Sequence, residues 1–120
     1  MRARTKEKKF ELYQHYKNLV KHWLIERIMP YLSQAILEHD KYAIEKYKRL
    51  ANKILNICLT SGREYLGQDI CGLLIMLKKR VLEKGEYGIL NTIEKKLKKE
   101  LEAKEAEITK EIQQKLKKVA

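Results

Sequence analysis

From Phe10 onward, large apolar side chains recur at spacings of three and four residues. Nowhere do they show the strict alternation with polar residues that a half-buried strand requires. That periodicity points to an all-α fold. The first stripe is Leu12, Tyr16, Leu19, Val20, Trp23, Leu24 and Ile28. Pro30 follows, and its ring clashes with a preceding helical turn. It therefore either ends or kinks this helix, or serves as the first residue of a shorter one over roughly 30–38. Asp40 is placed to N-cap the next segment, whose apolar face is Ile44, Tyr47, Leu50, Ala51, Ile54, Leu55 and Cys58.

Ser61 followed three residues later by Glu64 fits a capping box and predicts a helix reaching about Lys84. Between Ile70 and Leu77 it is apolar almost all round, as expected of a central helix or an oligomer interface. Gly67 and Gly72 each lower its propensity by about 1 kcal/mol relative to Ala, which close approach of a neighbouring backbone would offset. Gly85 and Gly88 stop it. The last helix, from Ile89, carries Ile93, Leu97, Leu101, Ile108, Ile112 and Leu116 in a narrow stripe. Glu and Lys four apart (Glu94/Lys98, Glu100/Lys104, Glu111/Lys115) flank it. So narrow a seam is similar to a coiled-coil strand, and residues 100–120 are expected to run past the bundle and pack on another chain. The expected architecture is a helical bundle of four or five helices. A flexible basic arm, residues 1–9, precedes a single domain over 10–120, and there is no internal repeat.

Catalytic chemistry finds little to work with. His15 and His22 share a helix face with Glu11 and Glu26, but no second helix offers the matching Glu-x-x-His pair of a bundle metal site. Ser33 and Ser61 lack a nucleophile context, and Cys58 and Cys71 lack metal-ligand spacing and read as small core residues. The expectation is no enzyme, no metal and no cofactor. The basic opening has no apolar region after it, and the longest apolar run is far short of the roughly 20 residues of a spanning helix. No secretion signal and no transmembrane segment are expected, and the location is expected to be intracellular or within a virion.

Charge is the remaining signal. There are 27 Lys and Arg against 16 Asp and Glu, a net +11. Such an excess opposes compaction and points to a polyanionic partner. The opening segment contributes Arg2, Arg4, Lys6, Lys8, Lys9, Lys17 and Lys21. The stretch "KYAIEKYKRLANK" contributes Lys46, Lys48, Arg49 and Lys53, with Tyr42 and Tyr47 interleaved. These eleven residues are the candidate phosphate contacts. A duplex carries about two charges per base pair, so +11 matches about five or six pairs per subunit, a density suited to coating. No recognition helix, zinc finger or basic zipper is visible, which leaves backbone and shape as the readable features.

In overall plan the chain resembles the helical coat proteins of filamentous viruses of hyperthermophilic archaea. The likeness lies in the "MRARTKEKK" arm, the all-helical body, the apolar "ICGLLIML" helix and the charged, extended last helix. It implies nonspecific packaging of double-stranded DNA by a self-associating subunit, or by a pair of paralogous ones. "SGREYLGQDI" resembles locally the small helical subunit of type III CRISPR effector complexes, which lines a nucleic-acid channel, although here some 50 residues follow it. A third expectation is a protein–protein adaptor whose 93–116 stripe docks a partner helix.

Overall fold

The computed structural model describes residues 6–119, and the side-chain surroundings of residues 7–118. Among these the fold is all-α, as the periodicity predicts. Helix α1 (Lys6–Asn18) passes without a break into a widened π-helical stretch (Leu19–Ile28) and then into α2 (Met29–Leu37). In the wide stretch amides reach five residues back, and the Met29 N–H donates to the Leu24 carbonyl. π-Helical turns mostly occur singly, so ten such residues are unusual. They bury Val20, then Leu24 with Ile25, then Ile28, and Met29 follows directly. Trp23, assigned from its spacing to the apolar face, is instead half exposed. Pro30 lies in the first turn of α2, where its missing N–H costs least.

Helix α2 closes with a Schellman turn. His39 takes φ 54° and its N–H donates to the Ile36 carbonyl, while the Asp40 N–H donates to that of Ala35. The Asp40 carboxylate then accepts from the Ala43 N–H at 3.1 Å and caps α3 (Lys41–Thr60), as the sequence predicts. Ala51, Leu55 and Cys58 are its buried face.

The capping box read at Ser61 and Glu64 does not form. Helix α4 (Arg63–Leu66) is a single turn whose N-cap is Gly62, with no side-chain cap. The long helix expected to follow is broken at Gly67, whose φ of 90° and ψ of 160° only glycine takes readily. Helix α5 (Gln68–Met76) and a second π-helical stretch (Leu77–Glu83) come after it. The break leaves the single turn to bury Tyr65 and Leu66, and the Tyr65 ring lies parallel to Tyr16 at 5.8 Å. The nearest atoms to a Cβ at Gly67 belong to the Lys104 side chain, at 3.6 Å, and not to the neighbouring backbone expected there, and the crowded glycine is Gly62. A Cβ there would lie 2.8 Å from the Tyr16 ring and 2.9 Å from the Cys58 carbonyl oxygen, whereas nothing stands within 4 Å of the equivalent point at Gly72. Cys58 and Cys71 are buried and unbridged.

After a 3₁₀ turn (Tyr87–Ile89), α6 (Leu90–Val119) returns along the first helix in the opposite sense. Lys21 and Glu26 share a hollow with Lys98 and Glu102, whereas Lys9 and Phe10 share one with Ile112 and Lys115. Ile93, Leu97 and Leu101 are core residues, Ile108 and Ile112 are partly buried, and Leu116 is 66% exposed. The inner part of the stripe is thus core, and only its outer end is uncovered. The radius of gyration, 16.3 Å, exceeds the roughly 13–14 Å of a compact domain this long, because α6 projects.

Candidate nucleic-acid interface

Four residues of α3, Tyr42, Lys46, Arg49 and Lys53, follow one another at intervals of four, three and four. At about 100° per residue they share one face, opposite Leu55 and Cys58. All four are outside the core, and Tyr42 is 82% exposed. Glu45 is the one acidic residue of α3, and its carboxylate stands 3.7 Å from the half-buried Lys48 ammonium at the flank of this face. Among the described residues no carboxylate reaches Lys46, Arg49 or Lys53. The three cations span about 10 Å along the helix, some three base-pair steps of a duplex.

Aromatic groups border this ridge. The Lys46 ammonium lies 5.6 Å from the Tyr47 ring, and Tyr47 stacks on Tyr31 of α2 at 5.7 Å. On the other edge Lys78 donates to the Asn56 side-chain oxygen at 3.0 Å, adding a fourth cation beside α3. Tyr31 and Lys78 are absent from the candidates read from sequence. Only the packing of α2 and of the second π-helical stretch against α3 brings them there.

The remaining candidates whose side-chain surroundings are described do not join this surface. Arg2 and Arg4 lie outside the described residues. Lys6 opens α1, so the segment assigned to a flexible arm is helical over residues 6–9. Lys8 and Lys9 are exposed on its first turns, Lys9 beside Phe10 at the mouth of a groove. Lys17 is a correction. It is buried, with its ammonium 2.5 Å from a Glu105 carboxylate oxygen and 3.5 Å from the side-chain oxygen of Gln14. Lys21 is half-buried in a hollow it shares with Glu26, Glu102 and Glu105. The hydrogen bond from Lys17 holds the Glu105 carboxyl below its ordinary range, against a smaller opposing effect of desolvation, with the charges of Lys17 and Lys21 adding to it. Both lysines thus serve the seam between α1 and α6.

His22 Nδ1 stands 3.1 Å from Glu26, and the Arg27 guanidinium lies 5.4 Å from the Trp23 ring centroid. Among the described residues no three His, Cys, Asp or Glu side chains converge as a metal site would need, and no helix is long and apolar enough to cross a membrane. Compared with family models, with curated proteins and with solved structures, the chain has no match in any of the three.

Proposed function

We propose that this protein is a non-enzymatic, sequence-nonspecific nucleic-acid-binding protein that coats duplex DNA, with the exposed face of α3 laid along the phosphate backbone. The observation that carries this reading is the unopposed run Lys46–Arg49–Lys53, with Tyr42 exposed on the same face. Lysine and arginine on long stems meet phosphates wherever the strand runs, and contacts to phosphates fix position without carrying sequence information. The net +11 supports a coating density, and the uncovered outer end of α6 supports assembly into a repeating array.

The test is salt-dependent binding to random-sequence duplex by the wild type and by the variant Lys46→Gln/Arg49→Gln/Lys53→Gln. Each lost phosphate contact lowers the slope of log affinity against log salt by about 0.9, so the variant is expected to lose about 3. An unchanged slope rejects the α3 face. Electron micrographs of the wild type with linear duplex should show continuous filaments, and isolated particles on bare DNA would reject the coating role.

A further inference from the structure

Between the first turns of α1, the single turn of α4 and the outer half of α6 lies a groove of about 270 Å³. Phe10, Tyr13, Tyr65, Ile108 and Ile112 give it apolar walls. One turn beyond Ile112, Leu116 continues the stripe into solvent. The charges along this half of the helix are segregated. Residues 100–111 hold Glu100, Glu102, Glu105, Glu107 and Glu111 against Lys104 and Lys110, whereas residues 112–119 hold Lys115, Lys117 and Lys118 and no carboxylate.

We infer that a second copy of this chain fills this groove, its α6 antiparallel to the first about a two-fold axis near Ile112. In that register each Leu116 enters the other protomer's groove beside Ile108, and the lysine-rich end of each helix lies across the glutamate-rich part of its partner. A parallel pair would set acid against acid and base against base. The antiparallel pair is self-complementary, as an isologous interface must be. Opposed macrodipoles favour the same direction. The inference is independent of the α3 surface and needs no nucleic acid.

The experiment is sedimentation of the full chain without nucleic acid. At about 100 μM, well above the range in which mass action dissociates a moderate dimer, the wild type is expected to sediment as a dimer. Leu116→Glu is expected to be monomeric with unchanged helicity, since Leu116 makes little contact within its own chain. Under oxidation Ile112→Cys should cross-link to its counterpart. Leu116→Cys should not, because its counterpart lies about 12 Å away along the helix, beyond disulfide reach. A wild type that stays monomeric, a dimer indifferent to Leu116→Glu, or a Leu116→Cys pair that cross-links would each overturn the arrangement. None of these readouts involves DNA, so a failure here stays separate from a failure of the nucleic-acid reading.

Discussion

The Tyr13 hydroxyl donates to the Leu101 carbonyl oxygen across 3.1 Å, joining α1 to α6 over 88 positions of sequence. The ring is 1% exposed and packs into the core, so this bond fixes where the projecting helix leaves the bundle. Tyr13→Phe keeps the ring and removes the bond, and should cost about 1 kcal/mol, read from urea midpoints. Its pH dependence has a definite sign. Burial first, then the Glu105 charge, pushes the phenol up from 10.0 to about 12. The unfolded chain therefore releases this proton before the folded one does. The stabilisation is complete below about pH 10 and decays as pH rises towards 12, by at most about 1.4 kcal/mol per unit. Tyr13→Phe should lose stability less steeply than the wild type over that interval.

The two thiols provide a second alkaline signal. Burial, reinforced by Cys71, pushes the Cys58 thiol from 9.0 up to about 12, and burial also raises that of Cys71 despite the opposing charge of Arg63. Thiolate is the reactive form, so both should resist a disulfide reagent near pH 8 in the native protein. Both should react at once in denaturant, where two equivalents are consumed. Rapid native labelling at pH 8 would contradict their burial.

Lys17 separates the two uses of positive charge in this chain. Lys17→Met keeps the apolar stem and removes the ammonium that Glu105 accepts from. Stability at neutral pH should fall by about 1 kcal/mol. Because Lys17 holds the Glu105 carboxyl below the usual 4.5, the stabilisation is present above that pH and lost as pH falls through the depressed value. The variant should therefore show a shallower acid loss than the wild type. Its salt slope for duplex binding should match the wild type, since this cation faces α6 and not solvent. A slope lowered by about 1 would return Lys17 to the phosphate contacts.

What the sequence discloses is what helical spacing and local capping govern. The apolar stripe of α3 (apart from Leu50, which is 38% exposed), the Asp40 cap and the spacing of Tyr42, Lys46, Arg49 and Lys53 depend on neighbours within a few residues and are readable. The widened turns after Leu19 are not, because Val20, Leu24, Ile25, Ile28 and Met29 satisfy an ordinary helical stripe as well as a π-helical one. Nor is the fate of Lys17, which resembles any other lysine of a basic segment until α6 brings Glu105 against it. The capping box at Ser61 fails for a related reason. The local pattern is correct, but packing Tyr65 on Tyr16 and fitting Gly62 against the same ring are tertiary demands that override it.

The two glycines of the broken helix test that last point directly, because the same substitution should act with opposite signs. Gly72 lies in the interior of α5, exposed, and a Cβ added there would meet nothing within 4 Å. Gly72→Ala meets no obstacle and restricts the unfolded chain, so it should stabilise by about 0.5–1 kcal/mol. Gly67 takes φ 90° and ψ 160°, where a side chain strains the backbone whatever the space around it. Gly67→Ala should cost about 1–3 kcal/mol if the kink is kept. If the chain relieves the strain by straightening, α4 and α5 merge into the continuous helix that Ser61 and Glu64 advertise, and Tyr65 loses its place on Tyr16. Urea midpoints give the signs. Near-ultraviolet circular dichroism separates the two outcomes at Gly67, since only straightening removes the Tyr16–Tyr65 stack.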